Sequence, residues 1–220
     1  MAMESQGVYI RRAATAIVSV SSVTTVMDIT ATSIHCASGI DFAGLGFTTN
    51  DVIMLNSDTN HFYPIKNATA TALDIYGSFN STGSATQTIN QYTMTRVGEI
   101  TDFTGPGGAA AIIDITHLGS TAKEKLPGLR DEGQLSMTLN FNATDTGQTG
   151  LRTDRAGRVK NHYDIIFKDC EWTASALPSM AYFFAYCMQF SITGAVDDKV
   201  GANAVLEITG PVEYTTRVSS

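Results

Sequence analysis

The residues most able to do chemistry lie in TDFTGPGGAAAIIDIT, residues 101–116, where Gly105, Pro106, Gly107 and Gly108 form a turn that runs into small residues. A glycine-rich turn cradles phosphate when it opens a helix and carries a lysine, as in GxxxxGK[ST]. Here Gly108 leads into AAAIIDIT, a strand pattern, and the next lysine is Lys123. The turn therefore reads as architectural, its glycines supplying positive φ and close backbone approach where the chain enters a sheet. The other candidates are as bare. His35, His61, His117 and His162 show neither the H-x-x-x-H nor the H-E-x-x-H spacing of a zinc site. His117, at the end of IIDIT beside a charged loop, reads as a surface or interface residue. Cys170 and Cys187 fall in predicted strands and read as inert buried thiols. Asp197 and Asp198 in GAVDDKVG lack the rest of a calcium loop and read as a hairpin turn. Trp172 stands alone, without the aromatic partners of a stacking platform. No nucleophile, base and orienting group can be assembled, so the expectation is no enzyme, no metal and no cofactor.

Composition narrows the partners. The 220 residues carry 14 basic and 21 acidic side chains, a net charge of −7. An acidic chain lacks the phosphate neutralisation that dominates nucleic-acid affinity, so tight DNA binding is disfavoured. The longest apolar run, AYFFAYCM at 181–188, is far shorter than the roughly 20 residues of a membrane-crossing helix. The start, MAMESQGVYIRRAAT, lacks the basic-then-apolar order of a secretory signal. Three widely spaced cysteines, Cys36, Cys170 and Cys187, suit free thiols in a reducing compartment.

The elements that would position these residues are almost all strands. Leu135, Met137, Leu139 and Phe141 alternate with Ser136, Thr138 and Asn140, the period of a half-buried strand. In YFFAYCMQFSIT, Tyr182, Phe184, Tyr186, Met188 and Phe190 share one face and Phe183, Ala185, Cys187, Gln189 and Ser191 the other. HYDIIFKD, VLEIT and IIDIT add further strands rich in β-branched and aromatic residues. One segment, Asn142 to Arg158, predicts a helix. Thr144 or Asp145 is its N-cap, Gln148 closes a capping box, Leu151 and Arg155 share a side, and Gly157 ends it. Gly147 and Gly150 each weaken it by about 1 kcal/mol, so it depends on docking against a sheet. Between Thr15 and Tyr92 a single lysine, Lys66, faces Asp28, Asp41, Asp51, Asp58 and Asp74. There, short runs (AIVSV, TVMDITAT, DVIMLN, YPIKNATATALDIYG) separated by turn signals predict a small barrel or sandwich, with Ser78–Gln87 as an exit linker.

Four landmarks follow one another between Gly98 and Val212: the F-x-GPGG turn, I-x-D-x-T-H-L-x-S-T before a charged loop, L-R-D-E-G before an alternating strand, and N-x-T-D-x-G-Q-x-x-L-R opening the helix. In their joint order and spacing the chain resembles the major tail tube proteins of long, non-contractile-tailed bacteriophages. MESQGVYIRRAAT is similar to that family's start. The 15–92 segment interrupts the plain pattern and is similar to small β-modules added to phage virion proteins. The implied fold is mainly β, a tail-tube-type β-sandwich or partial barrel with one α-helix plus a small inserted β-barrel. Residues 1–14 and 93–220 would form the tube core, and 15–92 an insert on the tube exterior.

The resemblance implies stacked hexameric rings forming a tail tube, the conduit for genome ejection, in a virion tail assembled in the bacterial cytoplasm. It implies as partners further copies of the chain, the tail tip, tape measure and tail terminator proteins, and DNA that passes without tight binding. It also implies that the loop Ser120–Gly133 joins adjacent rings through Ser120, Lys123, Glu124, Lys125, Leu126, Arg130, Asp131 and Glu132. Ser136, Thr138 and Asn140 are then the nominated lumen positions. Two alternatives stand beside this reading. One is an inner tube of a contractile injection machine. The other is a host-surface or carbohydrate-binding module, for which His61, Phe62 and Tyr63 offer the one aromatic cluster.

Overall fold

The computed structural model describes residues 7–14, 25–36, 40–49, 51–55, 57–80, 82–194, 196 and 199–219. The expected run AIVSV and the pair Asp197–Asp198 lie outside the described residues. In chain order the elements begin with β1 (Val8–Ala13), β2 (Thr25–Ile29), β3 (Ser33–Cys36), β4 (Val52–Leu55), β5 (Asp58–Ala68) and β6 (Ala72–Ile75). Next come β7 (Gly83–Gln87), β8 (Ile89–Tyr92), β9 (Met94–Arg96), β10 (Ile100–Thr104), β11 (Ala109–Asp114), β12 (Lys125–Asp131) and β13 (Gln134–Asn140). The chain continues with α1 (Thr146–Gly157), β14 (Lys160–Phe167), β15 (Ala176–Leu177), β16 (Met180–Thr193), β17 (Gly201–Thr215) and β18 (Val218–Ser219). The protein is thus mainly β with one helix. Its strands form a sheet in the order β10-β13-β17-β16-β14-β1-β9, a second in the order β7-β2-β3-β6-β5-β4-β8, and the two-stranded pairs β11-β12 and β15-β18.

The chain divides into two compact units: Met1–Arg96 with Asp164–Tyr182 and Tyr214–Ser220, and Val97–Tyr163 with Phe183–Glu213. In the first unit, the second sheet is built wholly from Thr25–Tyr92. Its apolar interior includes Met27, Ile34, Phe42, Phe47, Ile53, Ile65, Leu73 and Ile89. Ser78–Gln87 is not a free linker, because Gly83–Gln87 pairs antiparallel with β2 along its whole length. The chain leaves for this sheet after β1 and returns at β9, and these two strands pair Arg11↔Arg96, Arg12↔Thr95 and Ala13↔Met94. The ends of the excursion are themselves bonded, Ala14 N–H donating to the Thr93 carbonyl at 2.9 Å.

A buried ion pair anchors β1. Arg11 donates from Nε to Asp164 Oδ1 at 3.0 Å and from Nη2 to Asp164 Oδ2 at 2.6 Å. Burial pushes the Asp164 carboxyl up, and the Arg11 charge and hydrogen bonds draw it back toward the ionised form. The guanidinium also lies 5.1 Å from the ring centroid of Trp172, whose Nε1 donates to the Ile65 carbonyl at 3.4 Å. Tyr76 donates its hydroxyl to the Thr173 carbonyl at 2.6 Å and packs in a cluster with Ile166, Leu177 and Met180.

In the second unit, β13 and β17 set large residues opposite small ones on the buried face, with Met137 facing Ala204 and Leu139 facing Ala202. On β16 the smaller set, Phe183, Ala185 and Cys187, is the buried one; Tyr186 is half-buried and Met188 exposed. The helix starts as its capping residues dictate, with Asp145 in extended backbone accepting from Gln148 N–H at 2.7 Å. The reciprocal half of a capping box does not form. Gln148, fully buried, instead donates to the carbonyls of Gly98 and Asn140 at 3.1 and 2.9 Å and accepts from Asn142 N–H. Gly147, Gln148, Gly150, Leu151 and Asp154 form the buried face, so the two weak helix formers lie where docking is tightest. Arg155 is exposed, and Asp154 takes the inward place, accepting from Asn161 Nδ2 and the Tyr163 hydroxyl at 3.1 and 2.9 Å. Gly157 remains helical; the left-handed cap is Arg158 at φ 52°.

Asp145 also accepts from Gly98 N–H at 3.3 Å, tying the helix start to the entry of β10. Asp145→Ala is therefore expected to cost about 1–2 kcal/mol, lowering the melting temperature by roughly 2–8 °C, as thermal circular dichroism would record.

Candidate functional site

The Gly-Pro-Gly-Gly turn joins β10 to β11, and two of its glycines are required by the backbone. Gly105 has φ +109°, and a side chain there would collide with the Gln134 carbonyl. A Cβ on Gly108 would collide with the Asp131 carbonyl; Gly107 shows neither constraint. Opposite them Gly133, at φ +71°, would bring a Cβ to 2.8 Å from the Gly107 carbonyl. The GPGG and DEG turns thus press backbone against backbone and form the root of a hairpin. No helix begins at this turn, so it lacks the geometry of a phosphate loop.

The hairpin is an arm. Among the described residues, β11 and β12 pair only with each other, in the register Ala110↔Arg130, Ile112↔Pro127, Ile113↔Leu126 and Asp114↔Lys125, with an irregularity between Ala110 and Ile112. Half of the segment read as a charged loop is therefore strand, since the backbone of Lys125–Asp131 completes its hydrogen bonds against β11 despite Pro127 and Gly128. The connecting tip holds Ser120, Lys123 and Glu124. It is folded by local bonds: Thr116 N–H to Asp114 Oδ1 at 2.9 Å, Glu124 N–H to Thr116 Oγ1 at 3.0 Å, and Gly119 N–H to His117 Nδ1 at 3.0 Å. The bonds from Thr116 hold the exposed Asp114 carboxyl below its ordinary range.

Every residue of β11 is exposed, and so are all but one of β12. Cross-strand partners share a face, so Ile113 and Leu126 lie on one side of the arm and Ile112 and Pro127 on the other. Ile112 is 68% exposed, Leu129 92%, and Leu118 at the tip fully exposed. A two-stranded ribbon is marginally stable alone, and both its faces here are apolar. The charges are partly self-engaged: Arg130 donates to Glu132 at 2.5 Å, and Asp131 Oδ1 accepts from Gly133 N–H at 2.9 Å. Lys123 and Lys125 are exposed.

The remaining candidates fall elsewhere. Cys170 sits in the bend after β14 and not in a strand; Cys36 and Cys187 are buried, and none of the three is in a disulfide. Phe62 and Tyr63 are buried, against Tyr92 and Phe79 respectively, so they offer no sugar platform beside His61. His61 Nδ1 is 2.6 Å from Asp58 Oδ1, and Asp58 also accepts from the Tyr63 hydroxyl and Asn80, which fixes a turn of the small sheet. Among the described residues, no three or more His, Cys, Asp or Glu side chains are placed to hold a metal. Among the described residues, no helix is long and apolar enough to cross a membrane. Ser136 and Thr138 lie on the exposed face of β13, with Asn140 half-buried. What sequence reasoning missed is that the IIDIT strand projects its isoleucines outward. The signal was there, in apolar residues at consecutive positions with no alternation to mark an inner face.

The pattern of the family described as phage tail tube, TTP, lambda-like matches residues 78–218, a span that includes the arm, the helix and the two longest strands, β16 and β17. No curated protein matches the chain. Among solved structures, a chain of the cryo-EM structure of the anti-feeding prophage baseplate, 6-fold symmetrised, aligns with a TM-score of 0.42 at 11% identity, covering 76% of this chain and 91% of that one. With well over half of its residues matched, the chain belongs to the lambda-like phage tail tube family.

Proposed function

We propose that this structural tail protein forms hexameric rings that stack into a hollow tube, the conduit through which the phage genome leaves the virion. The observation that carries the reading is the β11–β12 arm, an exposed ribbon with apolar side chains on both faces and, among the described residues, no further partner strand in its own subunit. Such a surface is an interaction site, and in a chain of this family the occupant is another copy. The large sheet also ends in the edges β10 and β9, which pairing between neighbours in a ring would close.

Residues 15–92 form an inserted module on the tube exterior. The pairing of β1 with β9 supports this, since it brings the module's entry and exit together and lets the flanking strands close beneath it. The tail tip, tape measure and terminator proteins are the partners at the ends and within the bore. DNA slides past an acidic wall, screened only beyond about 8 Å, without being held. Assembled tubes are accordingly expected not to retard duplex DNA in a low-salt gel shift.

In this reading the arm joins stacked rings, and Lys123 and Lys125 contribute attraction across the joint. Reversing both to glutamate is expected to block tube growth while the subunit melts as before, because both side chains are exposed. Tubes of normal length in negative stain would refute that role for the arm.

A further inference from the structure

At the root of the arm lies a groove of about 400 Å³, lined by Arg130, Asp131, Glu132, Ile208, Gly210 and Pro211. Its apolar floor is Ile208 and Pro211. Its rim carries one net negative charge, from Asp131 and Glu132 against Arg130, itself tied to Glu132. Two features keep it open. The pairing of β13 with β17 ends at Gln134↔Glu207, and Gly133 takes the next bond, its carbonyl accepting from Ile208 N–H at 3.0 Å, so β17 has no β13 partner from Thr209 to Val212. Gly210, at φ +86°, has nothing within 4 Å of where a Cβ would stand. A glycine inside a strand marks a bend or a place where another backbone comes close, and here the space beside it is empty.

We propose that this groove is the receptor for the arm tip of a second copy of the chain, Leu118 entering over Ile208 and Pro211 while Lys123 and Lys125 face Asp131 and Glu132. The proposal rests on the reading that the arm joins stacked copies, and it adds where the arm goes. The tip cannot reach its own groove, because β11 alone holds the two about 20 Å apart. Tip and groove are different patches, so the contact is head-to-tail and leaves a free tip at one end of the stack and a free groove at the other. A contact of that kind propagates without closing on itself, which is what an elongating tube needs.

The test is disulfide trapping in assembled tubes, in a Cys170→Ser background that removes the half-exposed native thiol. Leu118→Cys is combined with Pro211→Cys, and in a second chain Lys125→Cys with Glu132→Cys. Oxidation is expected to give covalent ladders of three or more copies with either pair, and at most dimers with any single substitution. Tubes that form but yield no ladder with both pairs, while deletion of the tip abolishes tubes, would overturn the groove and leave the arm's role standing. Tubes that still form after deletion of the tip would overturn both.

Discussion

Replacing Ile113 and Leu126 by serine is expected to abolish the proposed tubes and leave the subunit folded. The two side chains are cross-strand partners on one face of the arm, 52% and 51% exposed. Burying such a side chain completely is worth about 1.5–3 kcal/mol, so covering the exposed half of each contributes roughly 2 kcal/mol at one contact. That is about a thirtyfold rise in the concentration needed to form it. In the proposed ring of six the six contacts act together, and the loss multiplies. The subunit forfeits no packing, so its melting temperature is expected to stay within about 2 °C. Leu135→Ala is the contrast: that side chain is fully buried in β13, and its loss costs about 2–5 kcal/mol of folding stability. Electron microscopy together with thermal melts separates the two outcomes. Normal tubes from the serine variant would mean that the arm's apolar surface is not an assembly surface.

Asp164→Ala is expected to be the most damaging single change to the fold. It leaves the Arg11 guanidinium buried beside Trp172 with its bidentate carboxylate gone, and arginine cannot shed its charge to escape. Breaking a buried pair in this way costs about 3–5 kcal/mol, or a melting temperature lower by roughly 6–20 °C. The double change Arg11→Met with Asp164→Leu removes both charges and is expected to recover most of that loss. A single variant that melts like the parent would show that the pair does not anchor β1.

The strands of the large sheet were legible because their faces differ. Leu135, Met137 and Leu139 point inward against polar neighbours, and Asp145 announces the helix by the bond it makes to Gln148 N–H. The arm was legible only in part. Ile112 and Ile113 look like core residues in sequence, and hydropathy cannot distinguish a side chain meant for its own interior from one meant for a neighbour. Pro127, Gly128 and the surrounding charges disguised β12 as loop, since its strand character comes from pairing with β11 and not from its own propensity. The groove was invisible for a different reason. It depends on Gly210 and on β13 stopping short of β17's end, both facts of register. Arg11 and Asp164 meet across 153 positions of chain, beyond any local pattern. The role foreseen for Gln148 was likewise local, whereas its amide is committed to Gly98 and Asn140 at the edge of the sheet.

In the proposed tube, a surface left unfinished in one copy is completed by the next, around a bore. Cryo-electron microscopy of the purified, concentrated protein tests it most directly. The expected images are six-fold rings and hollow tubes whose density places β11–β12 between successive rings. A uniform population of monomers at the same concentration, or filaments without a central channel, would contradict it.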